Sequence, residues 1–282
     1  MDINFLKTWI DKSEQHHDTI AHQKVVALAA TLNRAAPSDG EPLPSLWHWM
    51  YFWSIASQAE LGEDGHPKRG GFMPPVPLPR RMWAGGRLRF HAALPIGCDA
   101  TRTSRILSVK EKNGKTGSLA FVTVEHTIAA AGKVAIVEEH DIVYRDLPAA
   151  GAVAPSPPVA PADALWSKVI TPDPVLLFRY SALTFNGHRI HYDRSYATEV
   201  EGYPGLIVHG PLIATLLVGL LFEKIPAAQL ESFSFKAISP LFDIDAFTVC
   251  GQPADDGLTV DLWAKNSRGE LAMQAQAMLK KQ

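Results

Sequence analysis

Arg179-Tyr-Ser-Ala-Leu-Thr-Phe-Asn-Gly-His-Arg-Ile-His-Tyr-Asp193 carries the densest chemistry of this 282-residue chain. Residues 175–184 have strand character and run into Asn186-Gly187, a pair that tolerates positive φ and marks a turn. His188 and His191 follow at once, among Asn186, Arg189, Tyr192 and Asp193. Further on, Gly205-Leu-Ile-Val-His-Gly-Pro211 leads into Leu212-Ile-Ala-Thr-Leu-Leu-Val-Gly-Leu-Leu-Phe222, a helix apolar on every side with Pro211 near its first turn. Such a helix must be enclosed. Strand patterns over residues 230–238, 245–250, 258–265 and 271–279, with Asp255-Asp-Gly257 and Ser267-Arg-Gly269 as hairpin turns, supply an antiparallel sheet to enclose it.

The first half repeats that order. Residues 2–35 read as helical: Phe5, Trp9 and Ile10 share one face, and Val25, Val26, Leu28, Ala29 and Leu32 form another stripe. The aromatic run Trp47-His-Trp-Met-Tyr-Phe-Trp53 reads chiefly as core packing. Residues 61–88 are rich in Gly and Pro yet hold Phe72, Met73, Val76, Met82 and Trp83, as expected of an ordered loop lying over a site. Strand patterns at 101–111, 118–129 and 134–144 follow, the first pair joined by a turn at Lys112-Asn-Gly-Lys115. His126 and His140 fall mid-strand, where a core or pairing role is expected. The Pro/Ala stretch 149–163 reads as a linker between units 1–148 and 164–282. An α+β fold of two similar halves follows, each a helix wrapped by an antiparallel sheet.

Composition narrows the function classes. With 46% hydrophobic and 20% charged residues the chain can bury a large core, and a net charge of −2 gives no overall field for nucleic acid or a membrane surface. No apolar run reaches the length of a membrane span, and residues 1–10 lack the basic and apolar regions of a secretory signal. Cys98 and Cys250 are far apart and lack metal-ligand spacing, which fits a reducing compartment. A cytoplasmic location is therefore the default expectation, with an organelle matrix left open.

Three stretches together resemble the MaoC-like double hotdog hydratases and dehydratases, across essentially the whole chain. They are Gly71-Phe-Met-Pro-Pro-Val-Pro-Leu-Pro-Arg-Arg-Met-Trp-Ala-Gly85, Thr184-Phe-Asn-Gly-His-Arg-Ile-His-Tyr-Asp193 and Leu206-Ile-Val-His-Gly-Pro211. The nearest branch contains mesaconyl- and itaconyl-type CoA hydratases and the mitochondrial 3-hydroxyacyl-thioester dehydratases. In the wider group a catalytic Asp stands five residues before a catalytic His, followed by Asn and Pro. Here His191 takes the His place, but Asn186, His188 and Arg189 stand at the others. That departure leaves the two-residue acid/base pair in question for this chain. The resemblance also implies that the backbone N–H of Gly210 polarises a thioester carbonyl.

The implied reaction is the hydration of a 2-enoyl-CoA, or its reversal. Such chemistry needs a base for water, an acid for the α-carbon and donors for the enolate oxygen. A histidine suits proton transfer near neutrality, Asn186 can orient water or the His191 ring, and a helix start offers Gly210's N–H. Candidate substrate contacts are Arg80 and Arg81 for a second carboxylate, together with Trp83, Tyr180, His188, Arg189, His209 and Lys236. Arg189, Lys236 and the loop cations are candidates for CoA phosphates. Tyr180 and Arg179 alternate on the incoming strand, so one of them faces the site. Asp193 either orients a histidine or caps the helix after it. The histidines lack ligand-spaced partners and no Gly-rich dinucleotide fingerprint occurs, so neither a metal nor a redox cofactor is expected. Short branched or dicarboxylic acyl groups lead the substrate reading. Fatty 3-hydroxyacyl thioesters, or non-catalytic acyl binding, stand as alternatives. A monomer and a homodimer are both compatible.

Overall fold

The structure is a computed structural model that describes residues 1–114, 117–146 and 156–281. Its frame is one antiparallel sheet of ten strands in the order β1-β3-β4-β5-β2-β7-β10-β9-β8-β6. β1 (Ser13–Thr19), β2 (Arg80–Phe90), β3 (Asp99–Gly114), β4 (Gly117–Ala130) and β5 (Lys133–Arg145) come from the first half. β6 (Trp166–Ile170), β7 (Leu230–Ala237), β8 (Phe247–Pro253), β9 (Thr259–Lys265) and β10 (Leu271–Leu279) come from the second. The halves join where β2 pairs with β7, from Gly85↔Lys236 to Arg89↔Ser232. Glycine is required at that seam, because a Cβ on Gly85 would press on the Phe235 carbonyl oxygen.

The enclosed helix of the second half is α4 (Gly210–Lys224), with Pro211 in its first turn. Leu212, Ile213, Ala214, Leu217, Val218, Leu220 and Leu221 are all buried against the sheet, so its apolar circumference is satisfied on every side. The first half holds no helix of that length among the described residues. Its helices are α1 (Ile3–Lys7) and α2 (His22–Thr31), and α2 packs beside a second-half helix, α3 (Pro174–Thr184). The inner face of β3–β5 is covered instead by the aromatic run, with Trp47, His48, Met50, Tyr51 and Phe52 buried. The expected pair of wrapped helices is thus realised once, and the other half is closed by irregular chain.

Two sequence expectations change here. Residues 175–184 are helical, not a strand. Asp173 caps α3 by accepting from Leu176 N–H at 2.8 Å, Pro174 sits in the first turn, and Phe185 closes it at φ 51°. Those end signals outweigh the apolar run that reads as a strand. Residues 2–35 are not continuously helical. Ser13–Thr19 alternates exposed and half-buried along β1 and pairs with β3, so period-two burial breaks the helical stretch.

Of the linker 149–163, residues 149–155 lie outside the described residues. The rest is held down: Leu271 N–H donates to Pro158 O and Ala160 N–H to Gly269 O. Of the turn expected at 112–115, Lys112, Asn113 and Gly114 instead extend β3, paired with β4 as far as Gly114↔Gly117, and residue 115 lies outside the described residues. No helix among the described residues is long and apolar enough to cross a membrane.

Candidate active site

The histidine segment leaves α3 through the left-handed Phe185. Asn186 N–H then donates to Ser181 O at 2.8 Å, and Asn186 Oδ1 accepts from His188 N–H at 3.0 Å. With Oδ1 engaged, the amide NH2 is the end of Asn186 left for a ligand or water. A 3₁₀ turn, Arg189–His191, brings His191 inward, where it is 7% exposed. Its Nδ1 lies 2.7 Å from the Ile207 carbonyl oxygen. A carbonyl can only accept, so Nδ1 carries the hydrogen and Nε2 keeps its lone pair. Burial pushes the His191 pKa down to about 4, against the opposing pull of the Ile207 bond, so the ring is neutral at pH 7.

The Ile207 segment also leads into α4, and this joins the two motifs. His191 stacks on His209 at 3.7 Å between ring centroids, with the planes 17° apart. His209 is the residue before Gly210, fully buried, with Nε2 2.8 Å from Ser181 Oγ and its ring against Tyr180. Gly210 opens α4, where the first N–H groups have no intrahelical acceptor and the helix dipole favours negative charge. A neutral base and an anion-favouring helix end therefore adjoin.

The Gly/Pro loop does cover this segment. Arg189 N–H donates to Asp64 O at 2.9 Å, and Gly65 at φ 85° abuts Gly187 so closely that a Cβ would overlap the Gly187 carbonyl oxygen. His66 rests on His188, 4.2 Å between rings, and its Nδ1 is 3.0 Å from Asp64 Oδ2. Burial opposes ionisation of Asp64, but its bonds from His66 hold it below the usual carboxylate range. Burial and the neighbouring His66 push His188 down to about 2. Asp64, His66 and His188 bring ligand-type atoms within 4.8 Å of one another, although His66 Nδ1 is already bonded to Asp64. The charge of Arg81 bears on both His66 and His188, which puts it at this edge of the site.

Beside the segment lies a cavity of about 200 Å³. Tyr180, Thr184, Asn186 and Pro211 line it from the second half, and Trp49, Phe52, Trp83, Arg102, Glu138 and His140 are among its first-half walls. The cavity occupies the region where the first half has irregular chain in place of a long helix.

The expected site residues separate into two groups. Asn186, Tyr180 and Trp83 line the cavity, His188, His191 and His209 pack on one another up to Gly210 at the start of α4, and Arg81 bears on His188. Arg80 is spent on Glu201, 2.8 Å from its carbonyl and 3.1 Å from its carboxylate. Arg189 binds Asp193 at 2.7 and 3.0 Å and Glu63 O at 3.1 Å, so it latches the covering loop. Lys236 is exposed and alternates with buried Phe235, which turns it away from the cavity. Asp193 caps: it accepts from Tyr196 N–H at 3.1 Å and from Arg189, and among the described residues it hydrogen-bonds no histidine. Tyr180 lies on a helix, so the strand-alternation expectation for it and Arg179 falls. His48, Arg102 and Glu138 line the cavity and Asp64 and His66 adjoin His188, none of them among the expected site residues. The spacing Glu138-His140 was a usable signal, since residues two apart on a strand share a face.

The overall fold is that of the MaoC-like dehydratases. It matches the MaoC-like dehydratase of Phytophthora capsici with a TM-score of 0.75 over 100% of this chain and 98% of that one, at 13% identity. A Mycobacterium tuberculosis protein described as a double hotdog matches at 0.58, 14% identical, over 96% of each chain. Residues 46–243 match the family model Htd2, hydroxyacyl-thioester dehydratase type 2, and the chain belongs to this family. It is also 48% identical, over 271 residues and 95% of each chain, to the mesaconyl-C(4)-CoA hydratase of Chloroflexus aurantiacus.

Proposed function

We propose that the chain is a hydro-lyase that reversibly hydrates a 2-enoyl-CoA thioester with a short dicarboxylic or branched acyl group. The observation that carries this is the His191 ring, whose protonated Nδ1 is locked on the Ile207 carbonyl, leaving a lone pair on Nε2 beside the start of α4. In the hydration direction His191 Nε2 takes a proton from water as its oxygen bonds to the β-carbon. The electron pair moves to the thioester oxygen, which Gly210's N–H and the helix dipole hold. The imidazolium then returns its proton to the α-carbon, so one water is added in full. Asn186 cannot ionise, so one imidazole serves as base and then acid, and the amide NH2 orients the water.

The 48% identical relative is named for mesaconyl-C(4)-CoA, which favours the dicarboxylic reading. The walls agree: Arg102, Glu138 and His140 place charge and polarity where a long fatty tail would need an apolar tunnel. Units 1–148 and 164–282 are read as the two hotdogs. The two free cysteines fit a cytoplasmic or organelle-matrix setting.

The test follows the conjugated enoyl absorbance with mesaconyl-C(4)-CoA, crotonyl-CoA and a long-chain enoyl-CoA. Loss of absorbance with the short substrates is expected. His191→Ala should lower kcat by about 10²–10⁴-fold, the usual weight of a general acid–base. Full activity in that variant, or turnover of the long chain alone, overturns the proposal.

A further inference from the structure

The first half contributes a buried polar group that the proposed chemistry does not use. On the inner face of β3–β5, Arg102 and Ser104 from β3, His126 from β4, and Glu138 and His140 from β5 lie together. Ser104 is 2.8 Å from His126, and His126 packs on His140. Charges inside a fold are normally paired, because an uncompensated one carries a large desolvation cost.

Glu138 has its partners. It is 2% exposed, and its Oε2 accepts from Trp49 Nε1 at 2.9 Å and lies 3.1 Å from His140 Nε2 and 3.2 Å from His48 Nε2. Burial works against its ionisation, but His140 and His48 hold its pKa well below the ordinary value. Arg102 has none. Among the described residues no carboxylate stands within ion-pair distance of it, its Nε is buried without an acceptor, and its guanidinium lies over the Phe52 ring at 5.7 Å. The carboxylates whose charge reaches it, Glu138 and Glu14, are occupied elsewhere: Glu138 as above, Glu14 with His16 at 3.3 Å. Arg102 is half-buried, and that burial lowers its pKa.

Arg102 also opens onto the cavity that Asn186, Tyr180 and Pro211 line from the catalytic side. We infer that Arg102 is the specificity-determining residue for the free carboxylate at the distal end of a dicarboxylic acyl chain, which it binds across the cavity from Asn186 and Pro211. This rests on the hydro-lyase reading of the site. It replaces the expectation that Arg80 and Arg81 meet that carboxylate. Arg80 is taken by Glu201, and Arg81, which does not line the cavity, stands by Tyr144 and the Asp64–His66 pair. A guanidinium is suited to the task, since its fork matches a carboxylate and its charge persists when buried. The substrate's anion would then supply the missing counter-charge, and a neutral chain of equal length would leave Arg102 unpaired.

The experiment compares mesaconyl-C(4)-CoA with crotonyl-CoA for the wild type, Arg102→Met and Arg102→Lys. Both steady-state hydration and equilibrium binding by calorimetry are measured, and thermal melts confirm folding. The ratio of kcat/KM for the diacid over the neutral thioester is expected to fall about 100-fold in Arg102→Met, the weight of removing one partner of a buried charge pair. Arg102→Lys should recover part of it. A proportional fall with both substrates makes Arg102 merely structural and overturns the inference, as does an unchanged ratio. If the wild type hydrates neither thioester, the hydro-lyase reading fails on its own. Calorimetry then still decides on Arg102, through whether the diacid thioester binds tighter than the neutral one in the wild type and loses that advantage in the variants. Should Arg102→Met not fold, Arg102→Lys carries the same comparison.

Discussion

Gly210→Pro isolates the proposed oxyanion donor, because the backbone there already has the shape proline demands. Gly210 is the first residue of α4, and His209 before it sits at φ −59°, ψ 131°, the extended conformation favoured before a proline. Proline is well tolerated at a helix's first position, where the lost N–H has no intrahelical acceptor. The substitution deletes one donor and sets a ring carbon where its hydrogen was, and because Pro211 restricts the residue before it the helix start must be checked directly. Removal of one such donor usually lowers kcat by about 10²–10³-fold, or roughly 3–4 kcal/mol of transition-state stabilisation. Gly210→Ala is the control. Its Cβ would meet only Met273 Cε at 3.9 Å, an ordinary contact, and the N–H stays. Hydration of mesaconyl-C(4)-CoA should thus fall by two to three orders of magnitude in Gly210→Pro, and only about threefold or less in Gly210→Ala. Circular dichroism and a thermal melt establish that both fold. A folded Gly210→Pro enzyme keeping more than about a tenth of wild-type kcat would refute the assignment, for no donor of the expected weight would then have been lost.

Two further outcomes follow from the site. His191 acts as its neutral form and its pKa is pushed down to about 4, so kcat/KM for hydration should stay level from pH 7.5 to about 5.5 and fall only as pH drops through 4. An ordinary imidazole would already be roughly nine-tenths charged at pH 5.5, so a tenfold loss there, with the protein still folded, rules out His191 in this environment. Gly65→Ala should unseat the covering loop, since its Cβ overlaps the Gly187 carbonyl oxygen and its φ of 85° is costly for alanine by about 1–3 kcal/mol. Faster proteolysis within residues 60–70 and a lower kcat/KM are expected, and wild-type values of both would show that the loop's seat does not matter.

Much of the site was legible because local sequence dictates it. The two histidines and a proline in the first turn of an apolar helix are features of a few neighbouring residues, and they fold as such, whereas the left-handed turn falls on Phe185 and not on Asn186-Gly187. The strand expectation for residues 175–184 failed for a local reason too: Asp173 and Pro174 announce a helix start, and the apolar run masked them. The partners of Glu138 were illegible for another reason. Trp49, His48 and His140 come from separate parts of the chain, and no spacing rule links residue 48 to residue 138.

By itself, the sequence determined the α+β class, the enclosing of α4 and the identity of the histidine segment, because period, caps and turns are short-range consequences of side-chain chemistry. Only the tertiary structure decided that one half would lack a long central helix and keep a cavity in its place. It alone paired Arg80 with Glu201 and left Arg102 without an ion-paired carboxylate among the described residues. Pairing of charges depends on which strands become neighbours and which faces turn inward. Those are properties of the closed sheet, and no single segment of the chain carries them.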